Sequence, residues 1–234
     1  MAKQLYDYWF VQFDFPDANG RPYKSSGGQM VWNDLLKRSI PIGWCSKKLS
    51  ELIDDKQESI SPADHLGTVY KHFSIPEYDN SGFYAEEEAE TILSNKNTVS
   101  KNDVLVSKLN PWTSRVIWGM DAEDLICSTE FVTLAPVRSC EKGYMCAIAK
   151  SQAFINYCTK ASTGTSHSHR RVNPDIMKMF AVPYCSEVVK SFSFAVSKLY
   201  DLIVENLSSI KELRKQRDTL MPLLLNGQAS ASQN

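Results

Sequence analysis

Hydrophobic positions divide the chain into two regions of different periodicity. Between Ile40 and Pro183 apolar residues come in short runs separated by turn residues, with no long stripe. Val104-Leu105-Val106, Arg115-Val116-Ile117-Trp118 and Phe131-Val132-Thr133-Leu134 read as strands, and Phe180-Ala181-Val182-Pro183 as a last short one. Lys47 to Ile53 reads as a short helix. Gly143 to Lys160 reads as a longer one, because Tyr144, Ala147, Ile148, Phe154, Ile155 and Cys158 can share a face. Mixed elements without regular β-α-β alternation predict an α+β fold. From Glu187 to Leu225 the pattern changes: there is no glycine, and the one proline is Pro222. There Val196, Leu199, Ile203, Asn206, Ile210, Leu213, Arg217 and Leu220 alternate at spacings of three and four, a heptad seam with two polar positions. A continuous helix over this stretch is about 58 Å long at about 1.5 Å per residue. Such a stripe calls for a partner helix; the alternative is an amphipathic helix lying on its own domain.

The first 39 residues read as a leading segment and hinge. Tyr6-Asp7-Tyr8-Trp9-Phe10-Val11-Gln12-Phe13-Asp14-Phe15 is aromatic-rich and suits either a helix end or an extended strand. Asp17-Ala18-Asn19-Gly20-Arg21-Pro22 is turn chemistry, and Ser25-Ser26-Gly27-Gly28 a flexible hinge without the spacing of a phosphate-binding loop. The expected organisation is therefore residues 1–39 leading segment, 40–186 main domain, 187–227 long helix ending at Asn226-Gly227, and 228–234 disordered tail.

Composition narrows the class. Of 234 residues, 43% are hydrophobic and 11% aromatic, enough for a packed core. No apolar run approaches the roughly 18 residues of a membrane span, and the N-terminus lacks the apolar stretch of a signal peptide, so no membrane role and a cytoplasmic address are expected. The six cysteines form no CxxC pair and read as reduced, mostly buried thiols. Net charge is −1, but local charge governs phosphate contacts. Lys96, Lys101, Lys108 and Arg115 face only Asp103 in their stretch, and Lys160, Arg170, Arg171 and Lys178 only Asp175. The compensating acid lies in Glu77 to Glu90 and Asp121 to Asp124.

Catalytic patterns are incomplete. Asn110-Pro111-Trp112-Thr113 has the outline of the Asn-Pro-Pro-aromatic signature of amino-methyltransferases, but Trp112 replaces the second proline and no glycine-rich cofactor turn precedes it. Pro174-Asp175 is not followed by a correctly spaced Glu-x-Lys, so it reads as a helix N-terminus. His167-x-His169 has no third ligand nearby and is flanked by Arg170 and Arg171, which would repel a cation. Glu86-Glu87-Glu88 reads as a solvated helix face. No metal, cofactor or catalytic residue is expected.

With these motifs in order, the chain resembles the specificity subunits of Type I restriction–modification systems. Leu5 to Pro16 with Pro22 to Gly28 resembles the segment introducing a target recognition domain, and Ile40-Pro41-x-Gly43-Trp44 followed by Leu49 the domain's start. Asp103-Val104-Leu105-Val106-Ser107-Lys108-Leu109-Asn110-Pro111 resembles its central strand, and Ser128-Thr129-Glu130-Phe131 the strand after it. Thr163-Gly164-Thr165 through Arg170, Val172 and Phe180 to Pro183 resembles the closing loop and strand. Leu213-Arg214 through Asn226-Gly227 is similar to the ending of the family's conserved helix. Two departures stand out. Family members commonly carry two recognition domains and two helices where this chain has one of each, and Pro183-Tyr184-Cys185-Ser186-Glu187 is a degraded form of the usual helix start.

The resemblance implies a mixed α/β target recognition domain followed by a long helix that forms a coiled coil. It implies a non-catalytic subunit that reads one half of a bipartite double-stranded DNA target and docks methyltransferase subunits, and through them restriction subunits. Antiparallel homodimerisation through Val196, Leu199, Ile203, Asn206, Ile210, Leu213 and Leu220 would restore two domains and predicts a palindromic split target. The implied DNA contacts are Lys108, Asn110, Trp112 and Arg115 near the central strand. In the closing loop they are Thr163, Thr165, Ser166, His167, Ser168, His169, Arg170 and Arg171. Gln57 to Ser81, with His65, Lys71 and His72, is a second candidate base-reading segment. The rival expectation is a coiled-coil oligomerisation or regulatory protein that binds no DNA.

Overall fold

The computed structural model describes residues 1–164 and 169–226; the expected tail at 228–234 and the candidate contacts Thr165, Ser166, His167 and Ser168 lie outside them. The chain opens with α1 (Ala2–Tyr6), extended by a wider π turn through Val11, so the aromatic-rich start is a helix end. Then follow β1 (Met30–Asn33), β2 (Arg38–Pro41), β3 (Cys45–Lys48), β4 (Ile53–Asp54), β5 (Ser59–Ile60), β6 (Val69–Phe73) and α2 (Ile75–Ser81). The middle of the chain supplies β7 (Ala85–Glu88), β8 (Lys96–Thr98), β9 (Val104–Ser107), β10 (Val116–Trp118), β11 (Leu125–Cys127), β12 (Phe131–Thr133) and β13 (Ala135–Pro136). It closes with α3 (Lys142–Ala149), α4 (Gln152–Ala161), α5 (Pro174–Lys178), β14 (Ala181–Tyr184) and α6 (Ser186–Leu225). This is the expected mixed α/β architecture with a long C-terminal helix.

Two sheets position everything else. The central antiparallel sheet has the order β10-β9-β12, with Val116 opposite Val106 and Phe131 opposite Ser107. Its residues are all buried because both faces are covered. Val104, Val106, Val116, Trp118 and Val132 face the core built by α3 and α6, while Leu105, Ile117 and Phe131 face a second cluster with Phe73 and Phe83. Period-two alternation is therefore invisible in these strands: both sides are apolar. The second sheet has the order β5-β8-β11-β6-β7, with only β11 and β6 parallel. A short antiparallel pair, β14 with β3, ties the residues just before α6 to the start of the main domain.

The leading segment is part of the core. Phe10 packs on Tyr144 with ring centroids 4.5 Å apart and on Phe192 at 5.1 Å, and Tyr6 joins them. Ser25, expected in a hinge, bonds Asp14 through both its N–H (2.7 Å) and its hydroxyl (2.6 Å). Gly143 lets α3 and α6 cross closely: a β-carbon there would meet Val196 Cγ2 at 2.6 Å and Ser193 Cα at 2.8 Å. At this crossing Ser193 Oγ accepts from the N–H of Tyr144 at 2.9 Å, satisfying a donor at the α3 N-terminus.

Three expected elements are corrected. Lys47 to Ile53 is not a helix but the end of β3, a single 3-10 turn (Leu49–Glu51) and β4; pairing of β3 with β14 outweighs local propensity, and Glu51 bonds back to the Lys48 N–H at 2.8 Å. Gly143 to Lys160 is two helices, because Ser151 leaves the helical conformation and caps α4 by accepting from Phe154 N–H at 3.3 Å. Glu86, Glu87 and Glu88 lie on β7 rather than a helix, held by cross-strand partners: Glu87 meets His72 at 3.1 Å and Glu86 meets Lys211 of α6 at 3.1 Å.

Helix α6 divides between two roles. Val189, Phe192, Ser193, Val196 and Tyr200 are buried in the domain core, and Val204 and Leu207 pack half-buried on it. Val196, expected on the partner seam, is fully buried within its own domain and is unavailable to another helix. Further along, Ile203, Ile210, Leu213 and Leu220 remain 44–62% exposed. The helix lying on its own domain thus holds for the first half of the stripe, and apolar positions of the second half are left exposed.

Candidate nucleic-acid interface

The candidate contacts gather at one end of the central sheet, where two segments distant in sequence are stitched together. After β9, Ser107 Oγ accepts from Leu109 N–H (3.1 Å) and turns the chain outward. Asn110 then adopts a left-handed conformation (φ 48°), Pro111 to Thr113 form one 3-10 turn, and Ser114 (φ 52°) returns the chain into β10. Asparagine tolerates this region better than most residues because its short amide side chain bonds locally.

The closing segment docks on that turn. Asn110 N–H donates to the Arg170 carbonyl (2.7 Å), and Arg170 N–H donates to Asn110 Oδ1 (3.1 Å). Thr163 and Arg171 exchange backbone bonds at 2.9 and 2.8 Å, and Val172 N–H donates to the Lys108 carbonyl at 3.0 Å. Lys108, Asn110, Thr163, Arg170 and Arg171 therefore share one edge, with Trp112 (41% exposed) on its tip and His169 also exposed.

The charge on this edge is less free than the sequence implies. Arg115 is a corrected candidate: its guanidinium bonds both oxygens of Asp79 at 2.6 and 2.7 Å, Thr113 Oγ1 at 2.8 Å and the Leu109 carbonyl at 3.2 Å, with its side chain 11% exposed. It fastens α2 to the sheet and holds the Asp79 carboxyl below its ordinary pKa. Arg171 is forked onto Glu130 at 2.9–3.1 Å but lies at the surface, its own pKa raised by that carboxylate. Arg170 Nη2 donates to the Ser162 carbonyl at 2.5 Å.

Elsewhere the basic runs do not become a basic face. Lys96 is buried and bonded to Ser94, Lys101 lies 3.7 Å from Asp121, and Lys178 2.5 Å from Asp55. His72 is interior beside Glu87, burial holding its pKa down, so it is not placed to read bases; His65 is exposed. The carboxylate partners Asp79 and Glu130 were missed by sequence reasoning, since each lies tens of residues from its arginine.

Other chemistry finds little support. Burial pushes the thiols of Cys127 and Cys158 up to about 12, which disfavours the thiolate a nucleophile needs. Among the described residues no group of three or more His, Cys, Asp or Glu is placed to hold a metal, and no helix is long and apolar enough to cross a membrane.

Comparison with known proteins finds likeness in fold and in sequence. No family model matches the chain. Among solved structures, the HsdS subunit from Thermoanaerobacter tengcongensis superposes with a TM-score of 0.56 at 19% identity, over 78% of this chain and 48% of that one. The S subunit of a Type I restriction-modification system from M. genitalium gives 0.51 at 19% identity, over 78% and 46%. A chain from a structure concerned with complex assembly and conformational transition of the type I R-M system gives 0.57 at 18% identity, over 83% and 52%. The fold is thus that of about half an HsdS subunit. In sequence, the chain is 23% identical over 245 residues to the Type I restriction enzyme MjaIX specificity subunit of Methanocaldococcus jannaschii, an alignment covering 97% of this chain and 52% of that relative. The family resemblance carried by the motifs is borne out, and the chain spans about half the length of the curated relative it matches.

Proposed function

We propose that the chain is a non-catalytic DNA-reading subunit of a Type I restriction–modification assembly. In this reading its mixed α/β domain recognises one half of a bipartite double-stranded target. Helix α6 docks methyltransferase subunits, and restriction subunits through them, and pairs with a second copy in the cytoplasm. The observation that supports it best is architectural: a recognition-sized domain carrying a 40-residue helix matches about half of each HsdS chain in the same arrangement.

The DNA-facing surface is the edge built from Lys108, Asn110, Trp112, Thr163, His169, Arg170 and Arg171, continued by the closing loop. Arg171 would exchange Glu130 for phosphate on binding, a swap between two anions that keeps the guanidinium paired. Arg115 supports this edge from behind. The two carboxylate-paired arginines are the observation that favours the rival, a coiled-coil protein that binds no DNA.

A duplex titration over a range of salt concentrations separates the two. Phosphate contacts make affinity fall steeply with salt. Replacing Arg170 and Arg171 together by alanine is expected to weaken binding to all duplexes about equally and to flatten the salt slope by about one to two. Unchanged affinity and slope would place DNA on another face. No binding to any duplex, with methyltransferase and S-adenosylmethionine present, would establish the rival.

A further inference from the structure

A cavity of about 570 Å³ lies apart from both the candidate DNA edge and α6. Its walls are the π turn after α1, the turn of the β1–β2 hairpin, the start of α4, and the residues on and just before β14. Phe10, Leu36, Tyr157 and Phe180 make its lining mainly apolar, and Val11, Leu35 and Met179 on its wall are themselves exposed. The volume falls in the range of small-molecule sites, about 300–1,000 Å³.

One cation faces this space. Arg38, at the start of β2, donates through Nη2 to the Val11 carbonyl, and its guanidinium carbon lies 4.4 Å from the centre of the Phe13 ring. The bond to Val11 uses one of five N–H groups. Burial holds the Arg38 pKa below the ordinary arginine value, and among the described residues no carboxylate offsets that. Asp7 is the one acid on the cavity wall, and its charge bears on Tyr6 rather than on Arg38. A guanidinium drawn part-way out of water without a counter-charge gains from an anion that arrives with two oxygens. The start of α4 has the same sign. Ser151 takes up the N–H of Phe154 through its hydroxyl and that of Ile155 through its carbonyl, which leaves those of Gln152 and Ala153 at the wall.

We propose that this cavity binds a small apolar carboxylate, its acid group seated on Arg38 and its ring or carbon chain among Leu36, Tyr157 and Phe180. A carboxylate matches the planar guanidinium with two oxygens and a single charge. A phosphate would bring further oxygens and a second charge against hydrocarbon. A neutral apolar molecule would fill the space and leave Arg38 without its anion. The site does not depend on DNA reading: it adjoins the first residues of α4, whereas the closing-segment part of the candidate DNA edge begins at Thr163, past the helix's other end.

Calorimetric titration of the full chain with phenylbutanoate, and with phenylbutanamide of nearly the same shape, tests this. One site is expected, with the acid bound at least about ten-fold more tightly than the amide, the margin of a charge-assisted bond. Arg38→Gln should remove that margin by weakening the acid alone, and Asp7→Asn should tighten the acid about two-fold. Ala153→Phe, at an exposed position on the cavity wall, should abolish binding of both ligands while circular dichroism stays that of wild type. Equal affinity for acid and amide would overturn the anion site, as would an Arg38→Gln chain that folds and keeps the preference. If Arg38→Gln does not fold, the acid–amide comparison on the wild type and on Ala153→Phe decides. Undiminished binding to a folded Ala153→Phe chain would place the ligand elsewhere, and no saturation by about 5 mM acid would end the proposal.

Discussion

Arg115 and Arg171 show how far two arginines of the same candidate edge can differ. The Arg115 guanidinium has four recorded bonds in a mostly buried position, whereas Arg171 makes a two-pronged pair in water's reach. Arg115→Ala is expected to cost about 2 kcal/mol in urea unfolding at neutral pH, from lost charge-assisted bonds. Arg171→Ala should cost no more than about 1 kcal/mol, as surface pairs do. The sign with pH follows from Asp79. Its folded pKa is depressed, chiefly by the Arg115 bond, so its contribution is complete above the ordinary aspartate value of about 3.9 and lost as pH falls through the folded value. The gap between wild type and Arg115→Ala should therefore narrow below about pH 4; a gap indifferent to acid would show that packing, not the ion pair, is what the mutation removes. Gly143 is a residue of the opposite kind, where the missing side chain matters. Gly143→Ala should destabilise by about 1–3 kcal/mol by forcing α3 from α6, despite alanine's better helix propensity.

At the scale of elements, α6 explains why a single periodic pattern supported two expectations. Val189, Phe192, Val196 and Tyr200 complete the domain core; beyond them Val204 and Leu207 still pack half-buried on it, while Ile203, Ile210, Leu213 and Leu220 are exposed. Val196→Asp should unfold the domain, because it places a charge among core residues; Leu213→Asp should leave circular dichroism and thermal unfolding unchanged while abolishing self-association in sedimentation. Loss of fold in both, or association in both, would refute this division of the helix. The same contrast marks what was legible in the sequence. Val104 to Val106, Val116 to Trp118 and Phe131 to Thr133 were readable as strands because each run is short and rich in β-branched and aromatic residues. The break at Ser151 was carried by a single cap inside an otherwise helical pattern, and the strand at Glu86 to Glu88 by partners on β6 and α6 that local sequence does not name.

For the whole molecule, the edge around Asn110 was legible as two motifs but not as one structure. Nothing local says that Asn110 and Arg170 exchange bonds, or that Asp79 and Glu130 neutralise two of the basic residues. The symmetry of the assembly, by contrast, follows from the proposed pairing of α6 with a second copy, because two identical chains that meet through the same face are related by a two-fold axis. In such a pair that axis also relates the two recognition domains. On the proposed DNA-reading role, two identical domains related by that axis meet the two strands of a duplex in equivalent ways, so the halves of the split target must be inverted repeats. Mapping methylated sites in cells that carry this chain and its methyltransferase checks this directly. The expected result is one interrupted motif whose halves are reverse complements, lost on Leu213→Asp. A motif with unlike halves would require a second, different recognition domain beside this one, and would separate the DNA-reading role, which it would uphold, from the two-copy assembly, which it would end.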